Sequence, residues 1–73
     1  MKKFYNEIIK ELREDKDLKQ KDVGKILGID QRTYSVYELG LRDLPIRHLI
    51  KLCEYYKISA DYILNINDGY KRH

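Results

Sequence analysis

The sequence predicts an all-α fold, a compact bundle of five short helices, from three observations. Apolar residues recur at three- and four-residue intervals, which is typical of helices with one buried side. No segment alternates with the period of two that is typical of a strand. The chain has 73 residues, of which 42% are hydrophobic, enough for one small core and too many for a disordered tail.

The first two helices follow from apolar spacing and a glycine. In the first helix, one side collects five apolar residues, Phe4, Tyr5, Ile8, Ile9 and Leu12. A polar turn at residues 15–17 ends that pattern. The second helix is predicted from about Gln20 to Leu27, with Val23, Gly24 and Leu27 inward. Gly28 follows it, where a helix end favours a residue that can adopt positive φ.

The remaining three helices are bounded by caps. Asp30 can accept a backbone N–H of a third helix, which Gly40 closes. Pro45 opens a fourth helix with apolar residues at helical spacing, Ile46, Leu49, Ile50, Cys53 and Tyr56. Ser59 caps a last helix from Ala60 to about Ile66. We predict a helical domain at residues 1–66 and a polar, flexible tail at residues 67–73.

The third helix predicts a surface that reads DNA. Tyr34 and Tyr37 lie about 60° apart on a helical wheel and mark its buried side. The opposite side carries residues without acidic groups, Gln31, Arg32, Ser35 and Val36. Arg can bind guanine, Gln can bind adenine, and Val can contact a thymine methyl. Taken alone, the same positions are also compatible with an ordinary solvated helix face.

The second helix adds a means of holding phosphates. Gln20 and Lys21 lie in its first turn, where backbone N–H groups and the helix dipole favour an anion. Lys19 and Lys25 add positive charge beside that turn. One helix would therefore hold the DNA backbone while the next reads bases, which is how affinity and specificity commonly divide.

The segment from about Ile9 to Leu64 resembles the Cro/repressor-type (XRE-like) helix-turn-helix DNA-binding family. The resemblance rests on residues in the family order, Arg13, Gln20, Gly24, Gly28, Ile29, Tyr34, Tyr37 and Glu38-Leu39-Gly40. It implies a lambda-repressor-like fold, with helices 2 and 3 as the helix-turn-helix and the third helix in the major groove. The chain departs from the family at Lys19, where relatives usually carry a Ser or Thr cap. It also departs at Val36, Leu39 and Leu41, where many relatives carry polar residues.

The resemblance implies a contact set that agrees closely with the helical wheel. Bases would be contacted by Gln31, Arg32, Ser35 and Val36. Phosphates would be contacted by Lys19, Gln20, Lys21, Thr33 and Arg42. Arg13 and Glu38 are expected to form a structural ion pair, although two separately solvated charges would also fit the sequence.

Charge, cysteine content and hydropathy limit the kinds of partner and the cellular location that this chain can have. Lys and Arg total 15 against 12 acidic residues, and the pI is near 9.0, which permits nucleic-acid binding without requiring it. The lone Cys53 permits no internal disulfide. No apolar run approaches the roughly 20 residues that cross a membrane, and no signal peptide is evident. We expect a cytoplasmic protein without membrane contact.

No catalytic constellation, cofactor, metal site or small-molecule ligand is evident, so we expect a protein that is not an enzyme. His48 and Cys53 lie about 140° apart on their helix and cannot share a metal. Cys53 is expected in the core and His48 at its boundary. Among seven tyrosines, four are expected to face inward, Tyr34, Tyr37, Tyr56 and Tyr62.

We therefore predict a small transcriptional regulator, more a repressor than an activator, that binds double-stranded DNA. A homodimer on an inverted repeat is expected, because one such module contacts few base pairs. With no separate oligomerisation domain expected, Tyr55, Ile66 and Tyr70 are candidate dimer contacts. The alternative is a protein-interaction module on the same fold, such as an antitoxin-like component or an antagonist of another regulator, favoured by exposed Leu39, Leu41 and Val36.

Overall fold

The computed structural model describes residues 4–64, and within that range the all-α class is confirmed. The described chain contains five helices and no strand, with α1 at Tyr5–Asp15, α2 at Gln20–Leu27, α3 at Gln31–Glu38, α4 at Ile46–Tyr56 and α5 at Ala60–Leu64. The predicted extension of the last helix to Ile66 and the tail at residues 67–73 lie outside the described residues. The helices predicted over Gln20 to Leu27 and after Asp30 are observed at those positions.

One apolar cluster joins all five helices. α1 packs against α3 and α5, α2 packs against α3 and α4, and α4 packs against α5. Every helix contributes at least one buried side chain to the cluster, which comprises Ile9, Val23, Leu27, Tyr34, Tyr37, Leu52, Tyr56 and Ile63. Burying one large apolar side chain contributes about 1.5–3 kcal/mol, so the loss of any helix would remove a large share of the stability of so small a domain.

The turn between α2 and α3 depends on two glycines for different reasons. Gly28 follows α2 with φ +77°, and its N–H donates to the carbonyl of Lys25 over 3.1 Å. Gly24 lies inside α2, where its carbonyl accepts from the N–H of Ile29 over 2.9 Å. A Cβ on Gly24 would stand 2.8 Å from the carbonyl oxygen of Ile29. The small residue therefore admits the backbone of the turn.

The caps of α3 and α4 largely follow the sequence. The Asp30 carboxylate accepts the backbone N–H of Thr33 over 2.8 Å, as an N-cap should. Gly40 adopts φ +75° after α3. Pro45 is the N-cap of α4 and lies just before its first residue, so it opens the helix as predicted. Its φ of −62° still suits the start of a helix.

The face that α4 turns to the core differs from the predicted one. Its buried residues stand four apart, at His48, Leu52 and Tyr56. Ile46 and Ile50, which were expected inward, are 73% and 51% exposed. On a helical wheel, Ile46 lies about 120° and Ile50 about 160° from the centre of the buried stripe. The prediction followed apolar residues alone, whereas a histidine occupies one position of the stripe.

Three of the four tyrosines expected inward are buried, and one is not. Tyr34, Tyr37 and Tyr56 belong to the core, whereas Tyr62 is 53% exposed. α5 has only five residues and turns Ile63 into the cluster, which directs the preceding tyrosine toward solvent. A helix with so few residues gives too little periodicity to decide which neighbour faces inward.

His48 is buried rather than at the boundary. Its side chain packs edge-on against Tyr37, with 5.9 Å between ring centroids, and its Nδ1 has no hydrogen-bond partner among the described residues. Burial lowers the pKa of the imidazole, and the neighbouring charges of Arg47 and Lys51 lower it further. The folded protein therefore resists protonation of this side chain.

We expect Gly24→Ala to destabilise the domain by about 1–3 kcal/mol, because the added methyl overpacks the turn. The gain in helix propensity, about 1 kcal/mol, opposes this loss. Gly28→Ala serves as a control that tests backbone strain alone, since its Cβ would meet nothing within 4 Å. Urea unfolding measures both changes. A Gly24→Ala protein as stable as the parent would show that the turn can shift to accommodate the methyl group without loss of stability.

The stability of the protein should fall as the pH drops below about 6.5, the ordinary pKa of histidine. In that window the unfolded chain binds a proton at His48, while the folded chain does so only below its lowered pKa. His48→Leu should remove this part of the pH dependence. The measurement is the free energy of unfolding in urea at pH 8 and at pH 5.5. An equal loss of unfolding free energy between pH 8 and pH 5.5 in the parent and in His48→Leu would show that His48 is not the source of the pH dependence.

Candidate nucleic-acid interface

A buried carboxylate joins three helices behind the surface predicted to read DNA. Glu38 accepts four hydrogen bonds in total. Its Oε2 accepts Arg13 Nε over 2.7 Å and the hydroxyl of Tyr34 over 2.5 Å. Its Oε1 accepts Arg13 Nη2 over 3.1 Å and Gln20 Nε2 over 3.0 Å. The expected ion pair between Arg13 and Glu38 is thus present, with two parallel hydrogen bonds.

These donors keep Glu38 ionised although its side chain is only 3% exposed. Burial alone would raise the pKa of this carboxyl, but the hydrogen bonds from Arg13, Tyr34 and Gln20 outweigh it and hold the pKa below its usual range. The hydrogen bond with Glu38 also raises the pKa of Arg13. Arg13 further donates from Nη1 to the carbonyl of Leu18 over 2.9 Å, which fixes the turn before α2.

The beginning of α1 holds the loop that follows α3. The hydroxyl of Tyr5 donates to the carbonyl of Arg42 over 2.5 Å, and Asn6 Nδ2 donates to the carbonyl of Glu38 over 3.4 Å. A Cβ on Gly40 would stand 3.2 Å from the Asn6 amide. The sequence placed Tyr5 on the apolar side of the first helix but predicted no partner for its hydroxyl. The structure uses it to fix the backbone that carries Arg42.

The four predicted base-contacting residues lie together on one groove. The groove has a volume of about 610 Å³ and is lined by Gln20, Asp30, Gln31, Arg32, Ser35, Val36 and Leu39. Gln31 and Arg32 are exposed, while Ser35 and Val36 are half-buried. Val36 also packs against the core, so only part of it faces the groove. The exposed edge of α3 is therefore polar near its start and more apolar near its end.

The predicted phosphate-contacting residues fall into separate places. Thr33 and Arg42 share a second pocket of about 240 Å³ with Arg32, Val36 and Tyr37. Lys19 and Lys21 are exposed at the start of α2 and line neither pocket. Gln20 lines the first groove, and its amide nitrogen is bound by Glu38.

Two residues of the first groove were absent from the predicted contact set. Asp30 brings a carboxylate to the groove, where the bond from the Thr33 backbone and the charge of Arg32 lower its pKa. Leu39 lines the other end and is 64% exposed. The sequence offered a signal for Asp30 in the groove. Asp30 is the predicted N-cap of α3, and an N-cap residue lies directly beside the first residue of its helix, here Gln31.

Metal sites and membrane-spanning helices were also sought among the described residues. Residues 4–64 contain no group of three or more His, Cys, Asp or Glu side chains that could hold a metal ion. Within the same range, no helix combines the length and apolar character needed to cross a membrane.

The family is decided by a sequence comparison that covers most of the chain. The sequence model of the helix-turn-helix family HTH_3 matches residues 9–63. The chain belongs to this family. The match includes α2, the turn at Gly28 and α3, and it confirms the resemblance stated from the sequence. α2 and α3 are therefore the helix-turn-helix of the domain.

Relatives of this helix-turn-helix chain include named bacterial and phage proteins. It is 35% identical over 61 residues to the uncharacterized HTH-type transcriptional regulator YqaE of Bacillus subtilis, covering 84% of this chain and 53% of YqaE. It is 30% identical over 73 residues to the cryptic phage CTXphi transcriptional repressor RstR of Vibrio cholerae, covering 93% of this chain and 66% of RstR. The chain thus spans about half to two thirds of these relatives.

Solved structures share the helix-turn-helix fold. The P22 c2 repressor, crystallised with a synthetic operator, aligns with a TM-score of 0.79 at 24% identity, over 86% of this chain and 96% of that one. A transcriptional regulator from Listeria innocua aligns with a TM-score of 0.82 at 25% identity, over 100% of this chain and 64% of that one.

We expect Arg13→Met to destabilise the domain by about 3–5 kcal/mol at pH 7, because it leaves the buried Glu38 charge without its cation. Glu14→Gln is the matched control. Glu14 stands 4.0 Å from Arg13 but is 54% exposed, so its loss should cost about 0–1 kcal/mol. Urea unfolding measures both variants.

The difference between Arg13→Met and the parent should shrink in acid. The lowered pKa of Glu38 contributes stability above the unfolded pKa, and this contribution is lost as the pH falls through the folded value. Equal stability of the Arg13→Met and Glu14→Gln variants at pH 7 would contradict a stabilising role for the buried pair.

Proposed function

We propose that this domain binds double-stranded DNA sequence-specifically, with α3 in the major groove, and acts as a transcriptional regulator, more a repressor than an activator. One observation carries the proposal. Gln31, Arg32, Ser35 and Val36 line a single groove on the free side of α3. Tyr34 and Tyr37 hold the other side of the same helix in the core. α3 is therefore fixed from behind while its polar edge stays accessible.

The side chains of this groove suit the edges of base pairs. Arg32 can donate two hydrogen bonds to guanine, and Gln31 can bind adenine with its amide. Ser35 can bind either a donor or an acceptor, and the exposed part of Val36 can contact a thymine methyl. Each good bidentate contact contributes about 1–3 kcal/mol of discrimination against the wrong base.

Phosphates would be bound on both sides of the groove. Lys19 and Lys21 are exposed at the start of α2, where the helix dipole also favours an anion. Thr33 and Arg42 lie with Arg32 around the second pocket. The proposal includes Gln20 among the phosphate contacts through the backbone N–H at the start of α2.

The named relatives support a regulatory role. YqaE is named a transcriptional regulator, RstR is named a transcriptional repressor, and the P22 c2 repressor was crystallised with an operator. The role is one of binding, and it requires no catalytic step from the chain. With DNA as its target, the proposed location of the protein is the cytoplasm.

We further propose that two copies bind an inverted repeat. Two-fold dimers of such domains read half-sites about 34 Å apart, one turn of DNA. Tyr55, at the C-terminal end of α4, is 40% exposed and is the candidate contact within the described residues. The other two candidates, Ile66 and Tyr70, lie outside the described residues.

Two exposed leucines favour a second candidate function, the binding of a protein partner on the same fold. Leu39 and Leu41 are 64% and 71% exposed, and Leu39 lines the groove of α3. Such residues could contact a partner protein in place of DNA, as in an antitoxin-like component or an antagonist of another regulator. Val36 supports this alternative less, because it is half-buried against the core.

Selection of bound duplexes from a random DNA library tests the base contacts. The parent protein should recover a motif, and Arg32→Ala should lose the preference for guanine at one position, a change of about 1–3 kcal/mol. Arg47→Ala is the matched control, because it removes the same charge from an exposed position on α4 outside both pockets. Recovery of no motif by the parent would overturn sequence-specific binding.

Salt dependence separates the two candidate functions. The logarithm of DNA affinity should fall with the logarithm of salt concentration, by a slope of about −0.9 for each phosphate neutralised. An apolar protein interface around Leu39 and Leu41 should respond weakly. If the parent selects a motif and Arg32→Ala leaves that motif unchanged, DNA binding is supported but the predicted contact of Arg32 with a base is wrong.

A further inference from the structure

α4 carries an apolar stripe on the side that faces away from the core. Ile46 and Ile50 are 73% and 51% exposed, and they stand one helical turn apart. Cys53 lies about 60° from Ile50 on the helical wheel and is half-buried beside the stripe. The outer side of a surface helix normally carries polar residues. Two neighbouring isoleucines there indicate a contact surface.

Two exposed charges flank this stripe at opposite ends of α4. Arg47 lies in the first turn and Glu54 in the last turn, about 20° apart on the wheel. The helix dipole favours acidic groups at the N-terminal end and basic groups at the C-terminal end, so each charge stands at the end that the dipole disfavours. Within residues 4–64, neither side chain takes part in an ion pair. α4 by itself leaves both charges unfavourably placed.

We propose that this face is a homodimer surface, on which α4 packs antiparallel against α4 of a second copy across a two-fold axis at Ile50. Such an axis brings together residues that lie about equally far before and after it. Ile50 then meets Ile50, and Ile46 meets Cys53 of the second copy. Arg47 meets Glu54 of the second copy. The opposed helices also place Arg47 beside a C-terminal end and Glu54 beside an N-terminal end, which the dipoles favour.

The stripe favours a second copy over an unrelated partner because its pattern complements itself. In a two-fold contact, residue i meets residue j and j meets i, so one sequence must supply both halves of every pair. The antiparallel register joins apolar to apolar residues and Arg47 to Glu54. Parallel helices would instead oppose like charges, Arg47 to Arg47 and Glu54 to Glu54, which disfavours that orientation.

The surface has its role within the proposed function, on which this inference rests, because two copies on an inverted repeat need a contact. It differs from Tyr55, the other candidate on α4. Tyr55 lies about 140° from Ile50 on the wheel. It packs edge-on against Tyr56, with 5.3 Å between ring centroids. Because α4 spans only about three turns, we expect a contact smaller than the roughly 800 Å² per partner of a standard interface, and a weak dimer.

Charge reversal tests the register. Sedimentation equilibrium at up to about 1 mM protein measures self-association, because a dimer with a Kd in that range is populated there. Arg47→Glu and Glu54→Arg should each weaken association, since like charges then face each other. An equal mixture of the two variants should restore it, because every acidic side chain then meets a basic one. A mixture that associates no better than either variant alone would overturn the antiparallel register.

Truncation at the axis tests the apolar contact. Ile50→Ser should weaken association by about tenfold or more, because it removes the central apolar contact from both copies. Tyr55→Ser is the matched control, since it truncates another exposed residue of α4 and should leave association unchanged. Circular dichroism at the same concentrations shows whether both variants are folded. Loss of association with Tyr55→Ser but not with Ile50→Ser would show that the dimer uses a different surface.

A disulfide across the axis tests the same register without weakening the contact. In a Cys53→Ser background, Ile50→Cys should give a covalent dimer on oxidation, because both thiols lie at the axis. Ile46→Cys in that background should not. Its two copies would stand about 12 Å apart along the helices, beyond the roughly 7 Å between Cα atoms that a disulfide can join. More cross-linking at residue 46 than at residue 50 would contradict an axis at Ile50.

Measurements without DNA distinguish failure of this surface from failure of the proposed function. A parent protein that stays monomeric at the highest concentration and selects a single half-site would leave the stripe to another occupant and overturn the inference, while sequence-specific binding stands. Absence of any motif would overturn the proposed function, and the self-association experiments would still test the surface. Arg47→Ala should lower affinity for a full inverted repeat and keep the guanine preference of each half-site, whereas Arg32→Ala should lose that preference.

Discussion

The buried charge of Glu38 is the constraint on which the arrangement of α1, α2 and α3 around the groove of α3 depends. A carboxylate that is almost inaccessible to solvent requires donors, and its donors come from α1, α2 and α3. Each helix of the helix-turn-helix is therefore fixed relative to α1 by a polar contact as well as by the core. The apolar cluster alone would permit small shifts of these helices, whereas hydrogen bonds with defined lengths do not.

The same arrangement connects stability with recognition. Tyr34 lies in the core and also donates to Glu38, while Gln20 donates to Glu38 and lines the groove. A side chain that stabilises the fold is therefore one contact away from a side chain that lines the groove. Substitutions in this network need two measurements, one of unfolding and one of sequence preference, because either effect alone could be mistaken for the other.

The helix boundaries around the turn were predictable because local chemistry decides them. Gly28, Asp30 and Gly40 act through their own backbone or side chain, so their effect is visible in the sequence. The stripe of α4 was mispredicted because His48 is polar yet buried, and burial is a property of the whole fold. The role of Tyr5 was missed for a related reason. Its partner, the carbonyl of Arg42, is 37 residues away and carries no sequence signal.

The grouping of Gln31, Arg32, Ser35 and Val36 along one groove was predictable because tyrosines on one side of a short helix leave only the other side free. Its finer properties were not, since they depend on neighbours from elsewhere. Asp30 and Leu39 enter the groove through the path of the backbone at either end of α3, and the Gln20 amide is held by a carboxylate 18 residues away. A helical wheel shows which side chains can face a ligand. The surrounding contacts determine which atom each side chain presents, and that atom determines the base it can recognise.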